Sequence, residues 1–124
     1  MFVLSRHDSH AQYVIAALSN RKPVFVEKAI SREHLEEVRC AYQAEKEKNH
    51  NPFLTVGFNR RFAPLTEKLK QFFVGRHEPM IVNIRVNAGY IPHDHWVQHN
   101  GGGRIIGEFC HFVGWAQCVV AAPW

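Results

Sequence analysis

The sequence predicts an α/β fold, and two features carry that prediction. Three short apolar runs, residues 2–4, 24–28 and 53–58, each end at polar or charged residues, as buried strands of a parallel sheet do. The stretches between these runs carry apolar residues at helical spacing and begin and end at capping residues. Strands and helices in alternation predict parallel strands joined by right-handed crossovers.

The first helix is predicted between the first two runs. Asp8 or Ser9 is suited to cap its start, and Asn20 is suited to end it in the left-handed conformation. The second helix is predicted to start at a cap on Ser31 and to end at the turn-forming residues 49–52. The apolar residues that define these two helices are Tyr13, Val14, Ala17 and Leu18 in the first, and Leu35, Val38, Ala41 and Tyr42 in the second. The chain up to residue 58 is therefore predicted to be βαβαβ.

Beyond the third run the pattern changes. A helix that starts at Pro64 and stops at Gly75 is expected to bury Leu65, Leu69, Phe72 and Phe73. Apolar and polar residues then alternate over residues 80–86, which predicts a strand with one wetter face. Residues 88–100 form an irregular polar stretch, the glycines of residues 101–103 predict a turn, and residues 108–121 predict an apolar helix. The change of period near residue 78 marks a candidate domain boundary.

Composition and charge exclude several classes of protein. The 124 residues have an ordinary hydrophobic content of 46% and a formal net charge of +4. The basic residues are scattered among acids, so a nucleic-acid surface is not expected and a small anionic ligand is favoured. No apolar run approaches the ~20 residues of a membrane span, and the first residues lack the basic leader of a signal peptide. Three cysteines without paired spacing predict reduced thiols in a cytoplasmic protein.

Lys28 is the first candidate functional residue. It ends the run Val-Phe-Val-Glu-Lys of residues 24–28, and a buried strand has no dry place for a charge except beyond its carboxyl end. Ligands of open α/β sheets bind at that end of the strands. Lys28 is therefore predicted to mark a reaction centre.

The glycines of residues 101–103 do not form a nucleotide-binding motif. A phosphate-binding loop needs Lys followed by Ser or Thr after its last glycine, whereas Glu108 follows Gly107. The dinucleotide pattern G-x-G-x-x-G fails because Ile106 stands at its third glycine, counted from Gly101. A turn is the better interpretation.

Histidines and arginines supply the other candidates. His93, His95 and His99, with Cys110 and His111, are a possible zinc set, but no C-x-x-C or H-E-x-x-H spacing supports it. Glu108 and His111 lie three positions apart on a predicted helix, where a carboxylate can support a histidine as a general base. The alternative is that Glu108 is an acid at the start of a helix and that His111 has only a structural role. The residues that follow the third strand, Asn59, Arg60 and Arg61, are suited to hold an anion or to form a salt-bridged turn.

Together these segments resemble one family, the NAD(P)-dependent glucose–fructose oxidoreductase / inositol dehydrogenase (Gfo/Idh/MocA) family, and within it the predicted sugar dehydrogenases. The resemblance spans essentially the whole chain in the right order. It rests on Ser-Arg-His-Asp-Ser-His-Ala at residues 5–11, Val-Phe-Val-Glu-Lys at 24–28, Val-Gly-Phe-Asn-Arg-Arg-Phe-Ala-Pro at 56–64, Val-Asn-Ala-Gly at 86–89, His-Trp at 95–96, and Gly-Gly-Gly-Arg-x-x-Gly-Glu-x-Cys-His-Phe at 101–112.

The resemblance implies a nicotinamide-dependent enzyme, with NAD or NADP as cofactor, that oxidises a hydroxyl of a sugar or polyol. Residues 1–62 would be the second half of a Rossmann domain, and residues 63–124 the start of an α+β substrate and oligomerisation domain with a mostly antiparallel open sheet. His111 would accept the hydroxyl proton with the help of Lys28 and Glu108, and the chain would self-associate. The cofactor-binding residues implied are Ser5, His7, His10, Glu27, Lys28, Asn59 and Arg60, and the substrate-binding residues are Arg61, Asn87, His95, Trp96 and Arg104.

Several positions depart from the family pattern. Ala29 replaces a usual proline and Phe109 a usual glycine, while Gly107 and Gly114 stand where aspartates are usual. The glycine loop and the ribose-binding acid of a Rossmann domain would precede residue 1, so a fragment that binds the cofactor weakly or not at all is expected. Two alternatives remain open: a non-catalytic remnant or binding module, and a histidine-rich metal-binding module.

Overall fold

The computed structural model describes residues 1–28, 30, 32–99 and 103–120, and it has an α/β fold. Three strands form one parallel sheet: β1 (Phe2–Val3), β2 (Val24–Glu27) and β3 (Leu54–Gly57). The five α-helices of the described part are α1 (His10–Ser19), α2 (Arg32–Glu47), α3 (Pro64–Phe72), α4 (Trp96–His99) and α5 (Cys110–Val120). Short 3-10 turns cover His7–Ser9 and Asn59–Phe62, and a π-helical turn covers Ile105–Phe109.

The strands lie in chain order, β1-β2-β3, and this confirms the predicted βαβαβ arrangement. Phe2 pairs with Phe25, and Val24 pairs with Leu54. Two right-handed crossovers in the same direction place both connecting helices on one face of the sheet, where α1 and α2 pack against each other. The core lies between this helical layer and the sheet, and it consists of Val3, Ala11, Val14, Ala17, Leu18, Val24, Val26 and Val38.

The opposite face of the sheet carries large side chains that remain open to solvent. Because strand side chains alternate, Phe2 and Phe25 point away from the buried Val3 and Val26. Phe2 is 75% exposed, and Phe53, which precedes β3, is 61% exposed. The helical layer therefore covers one side of the sheet only.

Both connecting helices end in the same backbone motif. After α1, the N–H of Arg21 donates to Leu18 and that of Lys22 donates to Ala17, while Arg21 itself has φ 55°. After α2, Asn49 takes the left-handed position with φ 57° and makes the equivalent bonds. These are Schellman motifs, which satisfy the last carbonyl groups of a helix.

The motif corrects one expectation about the end of α1. Asn20, predicted as the left-handed residue, has φ −93°, and Arg21 takes that conformation one position later. At the start of α1, Ser9 stands at the cap position, but its hydroxyl donates to the Arg6 carbonyl and shares a hydrogen bond with the Ser5 hydroxyl instead of bonding to the helix. The expectations for Ala29, for the cap at Ser31 and for the first two glycines of residues 101–103 lie outside the described residues, whereas Gly103 has the positive φ of 67° that a glycine turn requires.

Two predictions for the second half of the chain are wrong. Leu65 and Phe72 are 79% and 81% exposed, so α3 does not bury the predicted stripe, and its buried residue is Thr66. Residues 79–92 form neither helix nor strand, so the alternating segment 80–86 is not a strand and the antiparallel sheet is not supported. The physical reason is the same in both places, because an apolar stripe needs a partner to be buried and a strand needs a neighbour to bond.

The final helix starts earlier than predicted and in a different form. The π-helical turn of Ile105–Phe109 leads directly into α5, whereas a single α-helix was expected from residue 108. In the parts of the chain that the structure describes, no helix is both long and apolar enough to cross a membrane.

Candidate functional site

Lys28 follows β2 at the carboxyl end of the sheet, as predicted, and it connects the sheet to the final helical segment. Its ammonium group donates to the carbonyl oxygen of Gly107, 79 positions along the chain. The backbone N–H of Lys28 lies 3.3 Å from a carboxylate oxygen of Glu27. The π-helical turn that contains Gly107 is thereby held against the end of the central strand.

His111 lies in the first turn of α5, where its ring meets the ring of Phe58 edge-on at 6.3 Å between centroids. Its Nδ1 atom is buried and has no hydrogen-bond partner among the described residues. Burial lowers the pKa of His111 below 6.5, and the positive charges of Lys28 and Arg60 lower it further, while the Glu27 carboxylate opposes them. The imidazole is therefore neutral near pH 7, the form in which a histidine can accept a proton.

Glu108 has an ion-pair partner other than His111. It pairs with Arg104, with 3.7 Å between the charged atoms, and it is absent from the groups that shift the pKa of His111. We predicted that Glu108 and His111 share a face because we expected both to lie on one α-helix. Glu108 lies instead in the π-helical turn, whose wider turns alter the direction of its side chains. Glu27, at the end of β2, is the acid that acts on the imidazole.

The arginines after β3 are held by aromatic rings. The Arg60 guanidinium lies 4.6 Å from the centre of the Phe112 ring, and that of Arg61 lies 5.2 Å from the centre of the Phe58 ring. The Nε of Arg61 is buried without a hydrogen-bond partner in the described part of the chain. Asn59, in the same turn, is exposed.

Gly114 leaves the space that Arg61 occupies. A Cβ atom at this position would lie 3.1 Å from Nη2 of Arg61 and 3.6 Å from the Phe58 ring. The first distance is tighter than an ordinary van der Waals contact, so a side chain here would displace the guanidinium. The family resemblance leads us to expect an aspartate at position 114. The glycine found there leaves room for Arg61 beside α5.

A hydrogen-bonded relay that was not predicted joins α5 to the turn of Arg60. The indole Nε1 of Trp115 donates to the Thr66 hydroxyl at 2.9 Å, and that hydroxyl donates to the Arg60 carbonyl at 2.8 Å. These residues also line a cavity of about 250 Å³. The only signal in the sequence is a threonine in the first turn after Pro64, and it does not identify the indole as its partner.

The residues after β1 gather around Trp96. The Arg6 guanidinium lies 4.3 Å from the centroid of the Trp96 ring. The centroids of the His7 and Trp96 rings are 4.9 Å apart. His95 lies beside Trp96 at 5.8 Å. The structure thus brings a predicted cofactor-side residue, His7, together with predicted substrate-side residues.

The remaining predicted residues take separate positions. His10 is buried, and its Nε2 donates to the carbonyl of Ser5 at 2.8 Å. Arg104 donates to the carbonyl of Gly89, whereas Asn87 is exposed in the segment without helix or strand. Within the ranges that the structure describes, no three His, Cys, Asp or Glu side chains gather closely enough to hold a metal ion.

Comparison with known proteins gives one informative match. The chain is 42% identical, over 69 residues, to an inositol 2-dehydrogenase of Acidothermus cellulolyticus. The match covers 55% of this chain but 19% of that protein, so the chain corresponds to about a fifth of the relative's length. No family model and no solved structure matches the chain. The matched stretch is therefore similar to part of an oxidoreductase.

Proposed function

We propose that the chain is a segment of a nicotinamide-dependent oxidoreductase that oxidises a hydroxyl of a sugar or polyol. One observation carries the proposal: Lys28 follows the central strand at its carboxyl end, and its positive charge acts on the imidazole of His111. The parallel sheet and the similarity to an inositol 2-dehydrogenase support it. Membership of the glucose–fructose oxidoreductase / inositol dehydrogenase family is part of the same proposal.

His111 is the proposed proton acceptor. Its lowered pKa keeps the imidazole neutral near pH 7, and its buried Nδ1 has no partner among the described residues. A substrate hydroxyl beside this ring would lose its proton to His111, and the ammonium of Lys28 would stabilise the negative charge that develops on the oxygen. Glu27 would limit the repulsion between the two cations once His111 is protonated.

The residues at the carboxyl ends of the three strands fit a polar cofactor. His111 Nδ1 and Arg61 Nε are buried polar atoms that lack partners in the described part of the chain, as expected where a polar ligand is to be bound. Ser5, His7, Glu27, Lys28, Asn59 and Arg60 would hold NAD or NADP there, and the buried His10 would support them through its bond to the Ser5 carbonyl. When bound, the nicotinamide would supply the hydride acceptor that the oxidation needs.

The segment by itself is proposed to bind the cofactor weakly, to work in the cytoplasm and to self-associate. The three cysteines are free thiols, which supports a reducing compartment. The exposed phenylalanines on the open face of the sheet support association. Calorimetric titration of the chain with NAD and NADP measures the first point, and a micromolar dissociation constant would contradict it.

A non-catalytic role is the second candidate, and one contact favours it. Because the Lys28 ammonium already donates to the Gly107 carbonyl, it is partly engaged before any substrate arrives. Under this alternative the chain would keep the fold and its contacts without the reaction.

A chimera separates the two candidates. The corresponding segment of the Acidothermus enzyme is replaced by this chain, and oxidation of inositol is followed by the absorbance of the reduced nicotinamide. We expect turnover, and we expect Lys28→Gln and His111→Gln each to lower it by about 100-fold or more, as for loss of acid–base catalysis. Lys46→Gln and His77→Gln, at exposed positions away from the site, are the matched controls.

The chimera and its variants are first compared by circular dichroism, so that only folded proteins are assayed. A folded chimera with no turnover would favour the non-catalytic candidate. Turnover that survives both Lys28→Gln and His111→Gln would reject the roles proposed for these side chains.

A further inference from the structure

A second cavity lies at the amino end of the strands, whereas Lys28 lies at their carboxyl end. It has a volume of about 410 Å³ and lies where the chain enters β2 and β3. Its apolar walls are formed by Leu18, Pro23, Pro52 and Phe53. The four residues of β2 separate it from Lys28 by roughly 10 Å or more, at about 3.3 Å per residue. The cavity is therefore a different place from the site described above.

Two cations, Arg21 and Lys22, line this cavity. Arg21 and Lys22 are exposed at its rim, and among the described residues neither side chain makes a hydrogen bond or an ion pair. The acid in the lining, Glu45, is buried, and its carboxylate accepts hydrogen bonds from Lys48 and His50, both at 2.7 Å. Its charge is thus already balanced, and the lining as a whole favours a negative ligand.

The backbone at Arg21 is an independent reason to expect a function. Arg21 holds the left-handed position of a Schellman motif, which glycine or asparagine adopts with less strain. The equivalent position after α2 is occupied by Asn49, with nearly the same φ of 57°. Strained residues that persist in a fold are concentrated at functional sites. The arginine side chain is therefore the feature that needs an explanation.

We infer that this cavity binds an aromatic carboxylate. The ring lies against the apolar walls of Pro52 and Phe53, and the carboxylate receives the paired N–H groups of the Arg21 guanidinium. Lys22 adds a second positive charge at the rim. A volume of about 410 Å³ is in the usual range for small-molecule pockets. The site is additional to the proposed oxidoreductase function and does not depend on it.

The other role open to Arg21 is to complement the carboxyl end of α1. Cations are favoured near that end because of the partial negative charge of its carbonyl groups. Here, however, the carbonyls of Ala17 and Leu18 already accept backbone N–H groups, and the Arg21 side chain is bonded to neither. A helix-end role also predicts no requirement for a carboxylate ligand.

The test uses the 124-residue chain and naphthalene carboxylate as the probe, with binding measured by calorimetry and by NMR shifts. We expect saturable binding that naphthalene methanol, the neutral analogue, does not reproduce. Arg21→Gln, which keeps the backbone and removes the charge, and Arg21→Gly are each expected to weaken binding roughly ten-fold or more. Asn49→Gly is the matched control, because it makes the same backbone change outside the cavity lining.

Thermal unfolding separates binding from folding. Arg21→Gly is expected to unfold at the same temperature as the parent chain or higher, because it relieves the left-handed strain. No saturable binding, equal binding of the neutral analogue, or unchanged binding by Arg21→Gln would each overturn the inference. A lowered unfolding temperature in Arg21→Gly would overturn its backbone premise.

Discussion

Replacement of Thr66 by valine tests how the structure holds α5 in place. The buried hydroxyl of Thr66 receives the indole N–H of Trp115 at 2.9 Å and donates to the Arg60 carbonyl at 2.8 Å. Valine has nearly the same shape but can do neither. Since Trp115 lies on the helix that carries His111, and Arg60 is one of the cations acting on that histidine, the relay fixes the helix against the turn.

The magnitude follows from the two bonds. The Arg60 carbonyl keeps a weaker partner, the N–H of Ala63 at 3.4 Å, so loss of the threonine bond removes about 1 kcal/mol. The indole N–H of Trp115, which is partly buried, loses its acceptor, and this costs about 1 kcal/mol more. Thr66→Val is therefore expected to lower the free energy of unfolding by about 2 kcal/mol.

Equilibrium unfolding in urea, followed by far-UV circular dichroism, measures this change without relying on Trp115 as the reporter. With a slope of about 2 kcal/mol per molar urea, the midpoint should fall by about 1 M. Thr66→Ser keeps the hydroxyl and serves as the control. A change below about 0.5 kcal/mol in Thr66→Val, or an equal loss in Thr66→Ser, would refute the role of the relay.

Three further predictions concern pH. Lys28→Gln should raise the pKa of His111 towards 6.5, because one of the cations that lower it is removed. NMR titration measures this pKa, with His111→Gln to assign the signal, and an unmoved pKa would contradict the electrostatic effect of Lys28 on His111. Because the folded-state pKa of His111 lies below its ordinary value, the unfolded chain takes up the proton first, so stability should decline as pH falls below 6.5, and less steeply in Lys28→Gln. Hydrogen bonds from Lys48 and then His50 lower the pKa of Glu45 below 4.5, so its contribution is present above that pH and is lost as pH falls through the folded-state value. Glu45→Gln should therefore flatten the loss of thermal stability in acid, and an acid profile as steep as that of the parent chain would disprove this.

The first half of the fold was predictable because its signals are local. The apolar runs and helical spacings up to residue 58 specify strands and helices that bury one another, and the sheet confirms them. Two details at the ends of the first helix differ: Arg21 takes the left-handed position predicted for Asn20, and the Ser9 hydroxyl does not bond to the helix. In this part of the chain, pattern and burial agree except at Tyr13 and Leu35, which belong to the predicted apolar faces of the two helices but are exposed.

The second half was less predictable because its patterns depend on partners. The stripe of Leu65 and Phe72 has the helical period, yet nothing described in the structure covers it. The alternation of residues 80–86 has the period of a strand, but a strand also needs a neighbour to accept its hydrogen bonds. Periodicity states which face is apolar, whereas burial is decided by what lies opposite.

The candidate site shows the same division. The place of Lys28 at the end of β2 followed from the strand alone, but its contact with Gly107 joins positions too far apart for any local pattern. Helical spacing placed Glu108 beside His111, but it cannot reveal the π-helical turn that holds Glu108 or the effect of the Glu27 charge on the pKa of His111.

The chain order of the strands has a consequence for how the protein folds. Each strand pairs with the next one to be synthesised, and the paired positions, such as Phe2 with Phe25 and Val24 with Leu54, are separated by a few tens of residues at most. Closing these short loops loses less chain entropy than closing longer ones, so this parallel sheet is expected to form faster than one whose paired strands lie farther apart in the chain. The first pair of strands can associate around α1 before β3 has left the ribosome, and β3 then adds to an edge that already exists.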